Sequence, residues 1–254
     1  MPFLIPFIPW ILAAAVITSA VVSVISAFTP PKPSKISLGL QGDLGGSPRY
    51  GTFGPLDNTV SNEIAIPVLY GQLKVAGNVI WQSDPGDTVK RIVGIGEGQI
   101  NSITDIRAND LVVSTLTGCS STAYLGTSTQ DGDSRLPASL IADLAMHNLA
   151  YIALTLQTGD KLKGGNPTIT SVVQGILVET WNGVAWVTTK TYSENPAACL
   201  RDFLINNRYG LGVPKANLND ASFGEVYDYC EGMVDVPTGG QEARYRLDYI
   251  LDAQ

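Results

Sequence analysis

From Ile64 to Thr191 the chain repeats one short phrase: four to eight apolar or β-branched residues, then a break of glycine, proline or asparagine. That pattern restricts the fold to short strands joined by turns. Strand runs are predicted at Ile64–Tyr70 and Asn78–Gln82, broken by Gly71 and Gly77, with Pro67 demoting the first to an edge or bulge. Ser83–Asp87 reads SDPGD, a turn. Further strands are expected at Val89–Gly94, Ile100–Ile106, Leu111–Thr115 and Ala150–Gln157. Two more, Thr168–Glu179 and Val184–Thr191, are expected to join through a tight Asn182-Gly183 turn. Thr117–Asp133 reads as a polar surface loop, and Pro137–Asn148 as a short helix. Helical spacing returns at Ser222–Met233, and Tyr245, Leu247, Tyr249 and Leu251 alternate as in a half-buried strand. With no βαβ rhythm and no internal repeat, the class is β-rich α+β with a few short helices.

A different pattern precedes this region. Phe3–Phe28 carries no charged residue. As a helix, Pro9–Phe28 is long enough, at about 1.5 Å per residue, to cross roughly 30 Å of hydrocarbon. Pro30, Pro31 and Pro33 stop it. With no cation before Lys32, it does not read as a signal peptide. Ala15, Ser19, Ser23 and Ala27 form a ridge of small groups at every fourth position, a pattern that lets helices approach closely. Two readings stand: a transmembrane anchor through residues 9–28, or an apolar bundle of several copies shielded by other proteins. The expected organisation is an apolar helix over 1–33, a Gly/Pro-rich arm over 34–58, β-rich structure over 59–192, and a helical segment with the start of a further domain over 193–254.

Composition narrows the function. Net charge is −7 and no run of Lys or Arg occurs, which excludes a nucleic-acid-binding surface of the usual basic kind. Charged residues make up 15%, below the usual share of about a quarter, as expected where much surface is buried against other subunits or a membrane. Cys119, Cys199 and Cys230 lack CxxC spacing and read as reduced, buried thiols. Gly94, Gly96 and Gly98 follow a strand, but a GxGxG spacing with a strand-like continuation is not a dinucleotide loop. The DGD at Asp131–Asp133 lacks the further ligands of a calcium loop and reads as a solvated turn. His147, the one histidine, has no nucleophile motif beside it and is expected at a helix end. Trp181 and Trp186 flank the hairpin and are expected to pack. No catalytic, metal or cofactor site is predicted.

The most specific stretch is NPAACLRDFLINNRYGLG, Asn195–Gly212. Asn195 is placed to cap a helix and Pro196 to occupy its first position. Ala197, Leu200, Phe203 and Leu204 supply an apolar face, Asn206 and Asn207 slow the helix, and Gly210 and Gly212 permit its exit. This wording resembles the segment that marks the J-type tip attachment protein, the central tail hub of lambda-like long-tailed phages. Asn195, Pro196, Leu200, Asp202, Leu204, Arg208, Tyr209, Gly210 and Gly212 carry the likeness. Ile66–Gly71 with Pro67 and Tyr70, then Gly77 and Ile80, are similar to the family's early strand pair. Glu97-Gly98 with Ile100, Pro167–Gly175, the Tyr229-Cys230 helix and Arg244-Tyr245 also fit, so the resemblance spans roughly Asn62 to the end.

The resemblance implies a non-enzymatic virion protein of the phage tail tip. It would act as a trimer that adapts the tail tube to the tip and surrounds the DNA exit channel. Its implied partners are its own copies, the distal tail protein, the tape measure protein and other tip proteins, with no sequence-specific nucleic acid. Family members are usually longer, with further hub domains and receptor-binding modules, so the expectation is that receptor recognition resides on another polypeptide. Cysteine spacing gives no support for the iron–sulfur cluster associated with some relatives. The alternatives are a membrane-anchored β-rich binding protein and a cell-wall hydrolase used during entry.

Overall fold

The structure is a computed structural model that describes residues 56–60, 64–143, 146–163, 166–237 and 239–251. The expected helix over 1–33, with Ala15, Ser19, Ser23 and Ala27, and nearly all of the arm over 34–58 lie outside the described residues. Among the described residues no helix is long and apolar enough to cross a membrane.

Two antiparallel sheets organise the molecule. The first holds β3 (Asn78–Gln82), β4 (Thr88–Glu97), β8 (Leu149–Gln157) and β7 (Ser120–Leu125), in the order β3-β4-β8-β7. The second holds β10 (Trp186–Tyr192), β9 (Ile169–Trp181), β5 (Ile100–Ala108) and β6 (Leu111–Val112) in that order, with β2 (Gln72–Val75) also on β9. Val93, Ile95, Ile152 and Leu154 from the first sheet share one buried core with Ile103, Ile169 and Val173 from the second. Each such aliphatic side chain contributes roughly 2 kcal/mol when taken fully out of water.

Four-stranded sheets usually leave one face wet, but this one does not. Ile92, Tyr151 and Ala153 point away from the shared core and pack under Leu136 and Met146, which flank helix α1 (Ala138–Asp143). Tyr124 and Tyr151 stack there, ring centroids 4.4 Å apart. Burial on both faces explains why Arg91–Glu97 forms an unbroken buried run instead of alternating. Gly94 and Gly96 lie inside β4, not after it, at a register shift against β8. At Gly96 a side chain would press on the Pro67 carbonyl at 3.2 Å.

Strand β1 (Val68–Tyr70) begins directly after Pro67 and pairs with β13 (Tyr249–Leu251). The two helices α2 (Pro196–Ile205) and α3 (Asp220–Glu231) pack against each other and against β9, and a small hairpin follows from β11 (Met233–Asp235) and β12 (Gln241–Ala243). Val68, Tyr70, Ile176, Val178, Ala198 and Cys199 make a second core where β1, β9 and α2 meet.

Several expectations are corrected. The predicted polar loop contains β7, whose Ser120 and Thr122 hydroxyls accept from the Arg135 guanidinium; an edge strand with one polar face looks like a loop by composition. Asp133 is buried rather than solvated, accepting from Tyr124 and Arg135. His147, expected at a helix end, sits in an exposed turn, with helix α1 described over Ala138–Asp143. The β9–β10 hairpin has a four-residue loop, because Asn182 Oδ1 accepts from both the Val184 and Ala185 N–H groups and widens the turn. Only Tyr249–Leu251 of the predicted terminal strand pairs, and Ile250, not its tyrosine neighbour, is the buried residue. Cys199 and Cys230 are buried as expected, whereas Cys119 is only partly covered.

Candidate functional site

Helix α2 starts as its sequence dictates. Asn195 Oδ1 accepts the Ala197 N–H at 3.0 Å, capping an otherwise unpaired donor just after Pro196. The Asn195 amide then donates to the Tyr227 carbonyl and to Glu231 of α3, at 3.0 and 2.9 Å, so one side chain fixes both helices.

The face that α2 buries mixes apolar and charged residues, with Phe203 also packed on the second core. Ala197, Ala198, Cys199, Arg201 and Asp202 point inward, while Leu200 is 51% exposed. The reason is charge pairing. Arg201, 2% exposed, donates from Nη1 to Glu179 of β9 at 2.7 Å and from Nε to Asp220 at 3.0 Å, and lies 4.4 Å over the Trp186 ring. Trp186 in turn packs against Trp181 at 5.8 Å, as expected of the hairpin pair. Lys215 also donates to Glu179. Burial works against ionisation of Glu179, but its hydrogen bonds from Lys215 and Arg201 outweigh it and hold the carboxyl below its ordinary range.

Asp202, 3% exposed, receives the Tyr70 hydroxyl at 2.9 Å and the Tyr209 hydroxyl at 2.6 Å on one oxygen, and Lys190 Nζ at 3.3 Å on the other. Burial first, and then the Asp202 charge, push both phenols well above their ordinary range, so both remain donors.

The exit from α2 begins at its asparagines. The helix ends at Ile205, and Asn206 Oδ1 accepts the N–H groups of Arg208 and Tyr209, competing with continued helix before any glycine is reached. Gly210 sits so close to the Phe203 carbonyl that a side chain would overlap it, and the Gly212 N–H returns to the Asn206 carbonyl at 2.9 Å. Arg208 then pairs with Glu97 at the β4–β5 turn.

The strand portions of the motif meet the same place. Glu97 donates its N–H to the Pro67 carbonyl at 2.8 Å, and the Gly175 N–H donates to the Gly71 carbonyl at 2.8 Å. A side chain at Gly175 would overlap the Leu69 carbonyl, so β1 crosses β9 only because this position is bare. Gly71, at φ +74°, turns the chain from β1 to β2. Gly98 turns β4 into β5 and donates to the Asn148 carbonyl at 2.7 Å.

Thus Pro67, Tyr70, Gly71, Gly98, Gly175, Asn195, Pro196, Arg208, Tyr209, Gly210 and Gly212 converge where α2 docks on β1, β9 and the β4–β5 turn, with Leu200 and the Arg208 side chain exposed at its surface. Beside them an open groove of about 610 Å³ is lined by Ile66, Glu97, Lys190, Arg208 and Tyr209, with His147 at its rim. Arg201, Glu179, Lys215 and Asp220 belong to the same assembly and were not anticipated. Each ionisable group of the network already has an intramolecular partner, an arrangement suited to holding shape and presenting a surface.

No protein-family profile matches the chain, and no curated protein does. Among solved structures it is similar to a chain from the virion of a native gene transfer agent (GTA) particle, with a TM-score of 0.43 and 20% sequence identity. That alignment covers 67% of this chain and 38% of the other.

Proposed function

We propose that this protein is a structural component of a phage tail tip, a central tail hub subunit that joins tail tube to tip as a trimer around the DNA exit channel and performs no catalysis. One observation supports the reading above others. Most residues that carry the hub resemblance fix α2 to the sheets, while Leu200 and the Arg208 side chain, 76% exposed although paired with Glu97, border open grooves. Under this reading the neighbours are further copies of the chain, the distal tail protein, the tape measure protein and other tip proteins. A net charge of −7 suits a channel lining, since passing phosphate is not retained by it. Crosslinking of purified tails tests this: links from Lys190 or Lys215 to tail proteins support it, and recovery of the chain solely in host membrane fractions supports the anchored binding protein instead.

A further inference from the structure

We propose a second binding site, independent of the hub reading: the cleft around Arg91 receives a carboxylate carried by a partner polypeptide. Arg91 on β4 is 1% exposed, as buried as Arg201. Arg201 has two carboxylates. Among the described residues Arg91 has three acceptors, all neutral: Gln82 Oε1 at 2.9 Å, the Pro167 carbonyl at 2.9 Å, and Asn166 Oδ1. Burial lowers its pKa, and no neighbouring charge contributes to that shift. A buried cation served by neutral oxygens alone is electrostatically incomplete.

The surroundings have the features of a receptor for the missing charge. Arg91 lines an open cleft of about 620 Å³ together with Lys163, and none of the described residues lining it is acidic. In a chain of net charge −7, that makes a local positive recess. Two of the three acceptors, Gln82 and Asn166, are exposed amide side chains. As exposed side chains they can rotate away on the ps–ns timescale of exposed rotamers. A carboxylate in their place forms charge-assisted bonds about twice as strong as those to a neutral amide. Trp81 and Leu162 give the cleft apolar walls, and its volume exceeds that of a single small anion. The acidic surface repels nucleic acid at longer range. Together these features favour an acidic peptide segment with apolar neighbours.

The test uses the full-length protein and a labelled, end-blocked peptide alternating glutamate with valine and leucine, compared with its glutamine counterpart by fluorescence anisotropy. The glutamate peptide is expected to bind at least tenfold tighter, with Lys163→Glu reducing that preference severalfold. Gln82→Glu places a carboxylate of the chain's own on Arg91. It is expected to abolish the preference while raising the melting temperature by about 3 °C, the shift of roughly 1 kcal/mol in a domain of this size. Equal binding of the two peptides, or a preference that survives Gln82→Glu, overturns the proposal. Acetate or phosphate binding as tightly as the peptide also overturns it, by assigning the cleft to small anions.

Discussion

Tyr70 and Asp202 lie 132 positions apart in the chain and meet at 2.9 Å in the interior, phenol to carboxylate. The contact ties the first strand to the motif helix, and Tyr209 closes on the same oxygen from the far side of the α2 turn. Replacing Asp202 by alanine leaves two buried hydroxyls without their acceptor, and is expected to cost about 3 kcal/mol. Tyr70→Phe removes one donor and should cost about 1 kcal/mol. Because both changes act on one bond, the double variant is expected to be less destabilised than the sum, by roughly 1 kcal/mol. Urea midpoints at unchanged m value measure all three.

Acid sensitivity follows from Glu179. Its folded pKa lies below the ordinary 4.5, so its contribution to stability is present above that value and is lost as pH falls through the folded pKa. Melting temperature is therefore expected to drop on acidification below about pH 4.5, with a shallower drop in Glu179→Gln. A variant that tracks the native protein across this window would remove Glu179 from the account.

Backbone crossing makes Gly175 irreplaceable. Gly175→Ala drives a methyl group into the Leu69 carbonyl, and a loss of about 3 kcal/mol is expected. Gly159→Ala, where an added Cβ meets nothing within 4 Å, is the matched control and should change stability by less than about 0.5 kcal/mol. Comparable losses at the two positions would contradict the close approach.

Burial, and then the nearby Asp202 charge, push the Cys199 thiol up to about 12. Since the thiolate is the reactive form, Cys199 should resist alkylation at pH 8 in the folded protein and react promptly in urea. Mass spectrometry of the labelled peptides distinguishes it from the partly exposed Cys119.

Strand positions were legible because a run such as Asn78–Gln82 carries both its apolar alternation and its bounding turns within a few residues. The helix at Pro196 was legible for the same local reason, its cap and first-turn proline being adjacent. What α2 buries was not, because Arg201 and Asp202 are inward only through partners far along the chain, Glu179 and Tyr70. A signal was present in hindsight: Arg201 follows Ala197 by four positions and Asp202 follows Ala198 by four, so the charges share a face with small residues that leave them room. Strand β2 was missed because Gln72 and Lys74 give it a polar side, and β7 because its serines and threonine resemble a loop. Both lie on sheet edges, where tertiary pairing rather than local pattern decides.

A reconstruction of the intact tail tip bears most directly on the claim that this chain acts by forming a collar. The account predicts three copies of the two-sheet body around the channel, with α2 and Leu200 at or near contacts between subunits. Tips in which no density accommodates this fold would contradict it.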